Sequence, residues 1–478
     1  MKLEGLQPEK VFYWFEKLCA IPHGSGNTKM ISDYLVNFAR EQGLRYIQDE
    51  NNNVILFGEG TCGMEDHPPV ILQGHMDMVT VKKVDCEIDL EKEPLKLKID
   101  GDFIYAEGTS LGGDDGIAVA YILAIMDSDD IAHPRIEAVI TTDEEIGMEG
   151  ATAIDLSMLK AKRMMNIDSE EEGILLASCA GGARIDCNIP IVREEKAGIF
   201  YKIKVGGLLG GHSGVEINKE RGNAIKMLGR VLYMISKEMP IQIADLSGGE
   251  KDNAIPREAE AVVLVENTQE KRFVEFVKKI EEILKNEYNT KEKELYLISV
   301  RLGNQNKRIL KQESTKRVID FLMVLPNGIM AMSIDIAGLV ETSLNVGILK
   351  LEENEMIASS AIRSSIESAK KYIMEQMEVV SSLAGGSISV HGDYPGWQYD
   401  PDSKLRATML QVYDEMFGIK PKVEAIHAGL ECGVFADAID GIDCISIGPA
   451  LFDVHTVNEK LSILEIDCYS LPLMLYFC

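Results

Sequence analysis

No uninterrupted apolar run in this 478-residue chain is longer than the ten residues Ile117 to Met126. That is about half of what a bilayer-spanning helix needs, so a membrane span is not expected. Positive charge is scarce: 49 Lys and Arg stand against 77 Asp and Glu, a formal net charge of −28. A surface of that sign repels nucleic acid and anionic membranes, and neither is expected as a partner. CxxC pairs are missing, and the nine cysteines are scattered and odd in number. Reduced thiols in a cytoplasm fit this usage better than a disulfide frame. The opening Met1-Lys2-Leu3-Glu4 has no apolar core of the signal-peptide kind, which again points to a cytoplasmic location. Internal repeats and low-complexity tracts are absent. What the chain does have is 46% hydrophobic and 26% charged residues, the balance of a soluble globular protein with ample material for a core. Its length is about three average domains, or two large enzyme domains.

The first third alternates strands and helices. Lys10 to Cys19 and Met30 to Gln42 carry apolar residues at helical spacing, and Pro8 suits a first helical turn. Val54 to Phe57, Val70 to Leu72, Ile136 to Thr142 and Met164 to Ile167 read as strands, and Ile117 to Met126 as a helix. This interleaving predicts an α/β fold with a parallel or mixed sheet covered on both faces. From about Ala197 the pattern changes. Ile199 to Val205 and Ala259 to Val265 read as strands, and Asn223 to Lys237, Phe273 to Asn286 and Ile362 to Val380 as helices. A separate α+β unit is expected there, inserted into a discontinuous domain that resumes after the turn-rich segment His391 to Trp397.

Five short segments place acids or a histidine where a strand ends. Val70 to Gly74 leads into His75-Met76-Asp77, and the glycine-rich loop Gly108 to Gly113 leads into Asp114-Asp115 and a helix. Val139 to Thr142 leads into Asp143-Glu144-Glu145, Met165 to Ile167 leads into Asp168, and Ser446-Ile447-Gly448-Pro449 precedes Asp453 and His455. In open α/β sheets ligands sit at the carboxyl ends of strands. Taken singly, each segment has an ordinary explanation: a hydrogen-bonded core histidine, an N-cap, a solvated turn. Taken together they crowd carboxylates. A like-charged pair at about 4 Å costs roughly 4 kcal/mol at an effective dielectric of about 20, so cations or large pKa shifts are required.

Two histidines with carboxylates and no nearby cysteine suit zinc, manganese or cobalt. Two dications held by His75, Asp114, Glu145, Asp168 and His455 leave one net positive charge, an electrophilic centre. Asp77, two residues beyond His75, is close enough to accept the ring N–H that faces away from metal. Glu144 precedes the ligand Glu145, so its side chain points elsewhere, toward a metal-bridging water whose proton it takes and later passes to a leaving amine. This is the composition of a metal-assisted amide hydrolase.

His75-x-Asp77, Gly113-Asp114-Asp115-Gly116, Glu144-Glu145, Asp168 and the late His455 resemble the two-zinc metallopeptidase family of carnosinase, peptidase T and peptidase V. Longer stretches narrow the resemblance to the aminoacyl-histidine dipeptidase (peptidase D, cytosol non-specific dipeptidase) branch. These are Ile21-Pro22-His23, Gly211-His212-Ser213-Gly214, the run Asn253 to Ala259, the run His427 to Gly433, and Ser446-Ile447-Gly448-Pro449. The match runs nearly end to end.

The resemblance implies a mixed-sheet zinc-peptidase catalytic domain flanked by helices, residues 1–192 and 395–478. An inserted α+β lid domain, residues 193–394, would join two chains as a homodimer. It also implies two zinc ions per subunit, with cobalt or manganese as substitutes. Asp114 would bridge them, since the first acid after the glycine is the bridging position in the family pattern. His75 and Asp168 would each complete one site or the other, with Glu145 and His455. Asp77 would orient His75, and Glu144 would be the general base. His212 would steady the developing oxyanion, and in dimeric relatives that histidine comes from the partner subunit.

Two further lid residues carry alternatives. Asn253 helps hold the substrate or is a turn-forming Asn. Arg363 holds a dipeptide's C-terminal carboxylate by a bidentate contact or is a surface arginine on a helix. Glu431 reads as structural and Cys432 as a buried thiol. The implied reaction is hydrolysis of unblocked dipeptides, Xaa-His among them, by a metal-bridging hydroxide. The alternatives are a tripeptidase, N-acyl-amino-acid deacylase or carboxypeptidase of the same family. A non-catalytic binding module is disfavoured because Glu144 and every ligand type are present. A phosphate site at Gly108 to Gly116 lacks the Gly-Lys-Ser/Thr ending of a nucleotide loop.

Overall fold

Strands buried along their whole length build the first sheet. Val70–His75 and Ile136–Thr141 are buried at every position, the pattern of strands covered on both faces. They pair in parallel, with His75 opposite Thr141. On its other side Val70–His75 pairs in parallel with Arg163–Asn166, which pairs in parallel with Asp443–Ser446. Val54–Gly58 and Arg45–Gln48 extend one edge antiparallel, and Ile174–Cys179 and Lys422–Ile426 extend the other, giving eight strands among the described residues. Parallel neighbours point the same way, so the residues following Val70–His75, Ile136–Thr141 and Arg163–Asn166 emerge side by side on one rim.

The computed structural model describes residues 2–61, 63–129 and 131–466. The last twelve positions of the expected catalytic domain lie outside the described residues. The chain divides into two compact units, Met1–Cys179 with Trp397–Ala425 and Leu430–Cys478, and Ala180–Gly396 with Ile426–Gly429. In the first unit the helix Gly113–Met126 is apolar all round because it is buried all round: Ile117 to Ile125 are at most 3% exposed. It shares its core with Glu9–Cys19, whose Phe15 lies against Gly116. A second, antiparallel sheet runs in the order Leu451–Phe452, Lys460–Ser462, Phe103–Ala106, Leu97–Asp100. Its hairpin carries His455 in the loop between Phe452 and Lys460.

The second unit is built on antiparallel strands. Its sheet runs in the order Tyr296–Leu310, Arg193–Gly206, Ala259–Val265, Ile241–Gly248, Val340–Leu351, Glu355–Ser364, Gly181–Pro190, Ser387–Tyr394, with Gly328–Met332 paired to Val340–Leu351. Alternate residues Ile199, Tyr201, Ile203 and Val205, and Ala259, Ala261, Val263 and Val265, share one core with the helices Ala224–Glu238, Glu270–Glu287, Gln312–Val324 and Glu367–Leu383. On the opposite face Lys202 pairs with Glu260 and Lys204 with Glu258, the alternation of a half-covered sheet.

Three expectations change. The divisions fall at 179/180 and 396/397 rather than 192/193 and 394/395, because Gly181–Pro190 pairs along its length with Glu355–Ser364 and on its other edge with Ser387–Tyr394. The short segment 426–429 also belongs to the second unit. The helix expected over Ile362 to Val380 is a strand through Ser364, then a helix from Glu367; Ser364 Oγ accepts the Ile366 N–H at the break. Arg363 therefore sits on a strand. His391 to Tyr394, read as turn-rich, completes the edge strand.

Among the described residues no helix is long and apolar enough to cross a membrane. Cys19, Cys86, Cys179, Cys187, Cys432 and Cys444 are free thiols. Phe273 is fully buried, its ring centroid 4.9 Å from that of Tyr201. Phe273→Ala is expected to destabilise the second unit by about 3–5 kcal/mol, read as a lowered midpoint in urea.

Candidate metal centre

The rim of the first sheet gathers the side chains that the sequence pattern singles out. Strand Val70–His75 ends on His75, whose Nε2 lies 3.1 Å from Asp114 Oδ1 and 3.5 Å from Asp168 Oδ1. From the hairpin, His455 Nε2 lies 3.0 Å from Asp114 Oδ2 and 2.8 Å from Glu145 Oε1. Two donor sets result, His75–Asp114–Asp168 and Asp114–Glu145–His455, each with its ligand atoms within 4.8 Å of one another. Asp114 belongs to both and turns one oxygen toward each.

Local backbone explains the aim. Asp143 and His455 take left-handed conformations, φ 55° and 63°, which cost a non-glycine residue roughly 1–2 kcal/mol. Such conformations cluster where function over-determines the backbone. Gly26 N–H donates to Asp143 Oδ1 at 2.6 Å. Gly74 has to be glycine for a different reason. A Cβ there would lie 2.5 Å from Asp115 Oδ2, the atom that accepts the His75 N–H at 3.2 Å.

Asp77 braces two members at once. His75 Nδ1 lies 2.9 Å from the Asp77 carbonyl oxygen and 3.5 Å from its carboxylate, so the ring's outer contact is chiefly with the backbone rather than with the side chain expected. The Asp77 carboxylate accepts the Glu144 N–H at 3.1 Å and the Ser25 hydroxyl at 2.8 Å.

As a bare set of side chains the cluster balances its charge only by taking up protons. Burial, reinforced by Asp168, Glu431 and Glu145 and opposed by His75, holds the Glu144 carboxyl well above the usual range. Burial likewise pushes Asp168 up to about 7 and Asp115 well above its ordinary value. Burial alone would depress His75, but hydrogen bonds with Asp114, Asp168 and Asp77 raise it well above its ordinary value. Contacts with Asp114 and then Glu145 raise His455 to about 11.

Divalent cations answer the same demand. Donors about 2.0–2.1 Å from a tetrahedral ion stand roughly 3.3 Å apart, close to the 2.8–3.5 Å spacings between these ligand atoms. Imidazole with carboxylate oxygen is a donor mix that zinc, cobalt and manganese accept. The residues present fit a pair of such ions.

The lid residues proposed from sequence lie in the second unit. His212 Nδ1 accepts the N–H groups of Gly214 and Val215, both at 3.2 Å, so the neutral ring carries its proton on Nε2. Burial and then the Arg363 guanidinium hold its pKa below the ordinary value. Arg363 Nη1 donates to the Tyr394 hydroxyl at 3.2 Å. Buried Lys370 in turn grips the Tyr394 carbonyl at 2.8 Å and Asp393 at 2.6 Å. His212 and Asn253 both line an open cleft of about 750 Å³.

Four residues near these sites carry more than the sequence pattern assigns them. Asp115 braces the His75 strand end, as described. Glu431, fully buried and pushed up to about 7 by burial, accepts from Thr141 Oγ1 at 2.7 Å and from Gln73. His427 bonds Ser343 Oγ at 2.8 Å and is pushed down to about 3 by burial, then Arg363 and His212. Glu459 accepts the N–H groups of Leu111, Gly112 and Gly113. Those are the donors a phosphate at the glycine-rich loop would need, so the phosphate reading of Gly108 to Gly116 fails. A lone acid 346 positions from its partner has no local signature; only the shared loop reveals it.

A mixed sheet with two donor sets sharing one carboxylate on its rim, and an additional acid beside them, defines a two-metal hydrolase of the metallopeptidase class. Comparison with known proteins makes the assignment narrower. Residues 203–292 match the model of the peptidase dimerisation domain. The cytosol non-specific dipeptidase of Escherichia coli (strain K12) is 37% identical over 470 residues, 98% of this chain and 97% of that protein. The crystal structure of aminoacylhistidine dipeptidase from Vibrio alginolyticus matches with a TM-score of 0.94 at 36% identity, covering 99% of this chain and 97% of that chain. Aminopeptidase PepT from Bacillus cereus ATCC 10987, at 17% identity and a TM-score of 0.57 over 99% of this chain and 98% of that chain, shares the fold. The chain belongs to the cytosol non-specific dipeptidase (aminoacylhistidine dipeptidase) family of M20 metallopeptidases.

Because Asp114 serves both donor sets and Asp168 only one, their removal is expected to differ. Asp114→Ala should retain neither ion through a desalting column, whereas Asp168→Ala should retain one, counted by atomic emission on the purified proteins.

Proposed function

We propose that this protein hydrolyses the peptide bond of unblocked dipeptides, with broad side-chain tolerance that includes Xaa-His. In this reading it works in the cytoplasm as a homodimer joined through the second unit, with two zinc ions per subunit that cobalt or manganese can replace. The single observation that carries the reading is the pair of donor sets sharing Asp114, with Glu144 beside them. The full-length similarity to a cytosol non-specific dipeptidase, and the dimerisation-domain match within the second unit, support the substrate class, the compartment and the assembly.

His75 and Asp168 would hold one ion, Glu145 and His455 the other, and Asp114 would lie between them. Bound there, the ions supply Lewis-acid polarisation of the scissile carbonyl and acidify a water. Every other part of the mechanism belongs to side chains of this chain. Glu144, whose buried carboxyl holds a proton readily, takes one from the attacking water and delivers it to the leaving amine. Asp77 keeps His75 and the Glu144 backbone in fixed relation through the contacts described above. His212, neutral with its proton on Nε2, donates to the developing oxyanion. Arg363 offers its guanidinium to the substrate's C-terminal carboxylate, and Asn253 supplies a further polar contact from the cleft it shares with His212.

Glu144→Ala is expected to retain both ions and lose at least about two orders of magnitude in kcat. Near-normal turnover by the metal-loaded variant overturns the assignment of the base. A panel of free dipeptides, tripeptides, N-acetylated amino acids and longer peptides tests the substrate class. Hydrolysis confined to free dipeptides is the expected outcome, and hydrolysis confined to blocked or longer substrates overturns it.

A further inference from the structure

Asp114 and His455 stand 341 positions apart in the chain, and both must reach the same ion. Each comes from a loop, Asp114 from the glycine-rich loop that opens the helix Gly113–Met126, His455 from the hairpin between Phe452 and Lys460. Loops are the least rigid supports a donor can have. One side chain connects them. Glu459, at the base of the His455 hairpin and only 3% exposed, extends its carboxylate into the Asp114 loop. Its Oε2 accepts the Leu111 N–H at 2.8 Å and the Gly112 N–H at 3.2 Å; its Oε1 accepts the Gly113 N–H at 2.8 Å and lies 3.5 Å from the Asp114 nitrogen.

The loop is shaped for this. Gly112 takes a left-handed φ of 69°, which turns successive N–H groups toward one point and makes an anion-binding nest. In many proteins such a nest holds a phosphate. Here the chain fills it with its own carboxylate, supplied four residues after His455. The nest is therefore a clamp between two loops.

We propose that Glu459 is a positioning residue for the metal centre: by holding the Asp114 loop against the His455 hairpin, it presets the Asp114–Glu145–His455 donor set and decides how tightly that set retains its ion. The inference rests on the two-metal reading above. It assigns Glu459 no contact with substrate or with the reacting atoms.

The test is retention of metal, followed by zinc competition with a chromophoric chelator on the dimetal protein, alongside turnover. The wild type is expected to release two ions in the titration. Glu459→Gln keeps the bulk but presents an amide NH₂ to N–H donors, and is expected to lose one ion about 10–100-fold more readily, while the second, whose donor set shares only Asp114 with the loosened loops, weakens less. Glu459→Ala should behave likewise, and millimolar acetate, which can fill the emptied nest but does not tie it to the hairpin, should not restore tight retention; full recovery in acetate would assign Glu459 to filling the nest alone and overturn the clamp. Acetate should leave the wild type unaffected. A side chain that merely stabilised the fold would weaken both ions alike.

Wild-type retention of both ions in Glu459→Gln and Glu459→Ala overturns the proposal. Should Glu459→Ala fail to fold, Glu459→Asp keeps the charge and shortens the reach by one methylene. One weakened ion in that variant supports the clamp, and two tight ions overturn it. A wild-type protein that retains fewer than two ions would instead sink the two-metal reading itself, so the two failures are distinguishable.

Discussion

Mutual repulsion among buried carboxylates is the constraint around which this molecule is organised. Asp114, Asp115, Glu144, Glu145, Asp168 and Glu431 meet at the carboxyl ends of neighbouring parallel strands, where burial denies them the water that would screen their charge. Each close pair costs several kcal/mol at the effective dielectric of a protein interior. Only positive charge placed among them offsets that cost, and two imidazoles supply part of it by hydrogen bonding to Asp114, Asp168 and Glu145. The remainder is what a pair of dications provides. Strain in the rest of the site follows from the same need, since left-handed residues and a glycine pressed against Asp115 are tolerable only where something else is gained.

Holding like charges together requires rigid supports, and the first unit provides them at two levels. Parallel pairing of fully buried strands fixes His75 relative to the segments that carry Glu144, Glu145 and Asp168. Further acids then act on backbone rather than on metal. Asp77 takes the Glu144 N–H, Asp115 takes the His75 N–H, and Glu459 takes those of the Asp114 loop. Carboxylates used as acceptors for main-chain donors make strong charge-assisted hydrogen bonds, so the same residue type that creates the electrostatic problem also supplies the scaffold that contains it.

The second unit solves a different problem with a different sheet. One face of its antiparallel strands is covered by four helices, and the other keeps lysine–glutamate pairs at the surface. Its polar residues are tuned toward neutrality and donation. His212 is held below its ordinary pKa with its proton on Nε2, and His427 is kept uncharged by burial and by Arg363. Arg363 itself is steadied through Tyr394 by a buried lysine. A guanidinium beside two neutral imidazoles is a surface suited to an anionic group, in contrast to the cation-seeking rim of the first unit.

Three of the donor residues are singled out in the chain because they follow apolar strand runs, and the period and length of such runs are local properties. His75, Glu145 and Asp168 follow such runs, His455 follows the Ser446-Ile447-Gly448-Pro449 segment, and Asp114, after a glycine-rich loop, is chosen over Asp115 and His212 picked out through family motifs. The helix Ile117 to Met126 and most strands of the first unit are visible for the same reason. Arg363 was misplaced on a helix because its strand is specified by partners at 181–190 and 340–351 rather than by its own neighbours. The unit boundary moved for the same cause. What composition and local pattern determine by themselves is therefore the kind of chemistry and the residues able to perform it. Which oxygen of Asp114 faces which histidine, and that Glu459 fills the glycine-rich nest, were decided only when distant segments packed. Hydrogen bonds between residues hundreds of positions apart leave no periodicity in the chain that makes them.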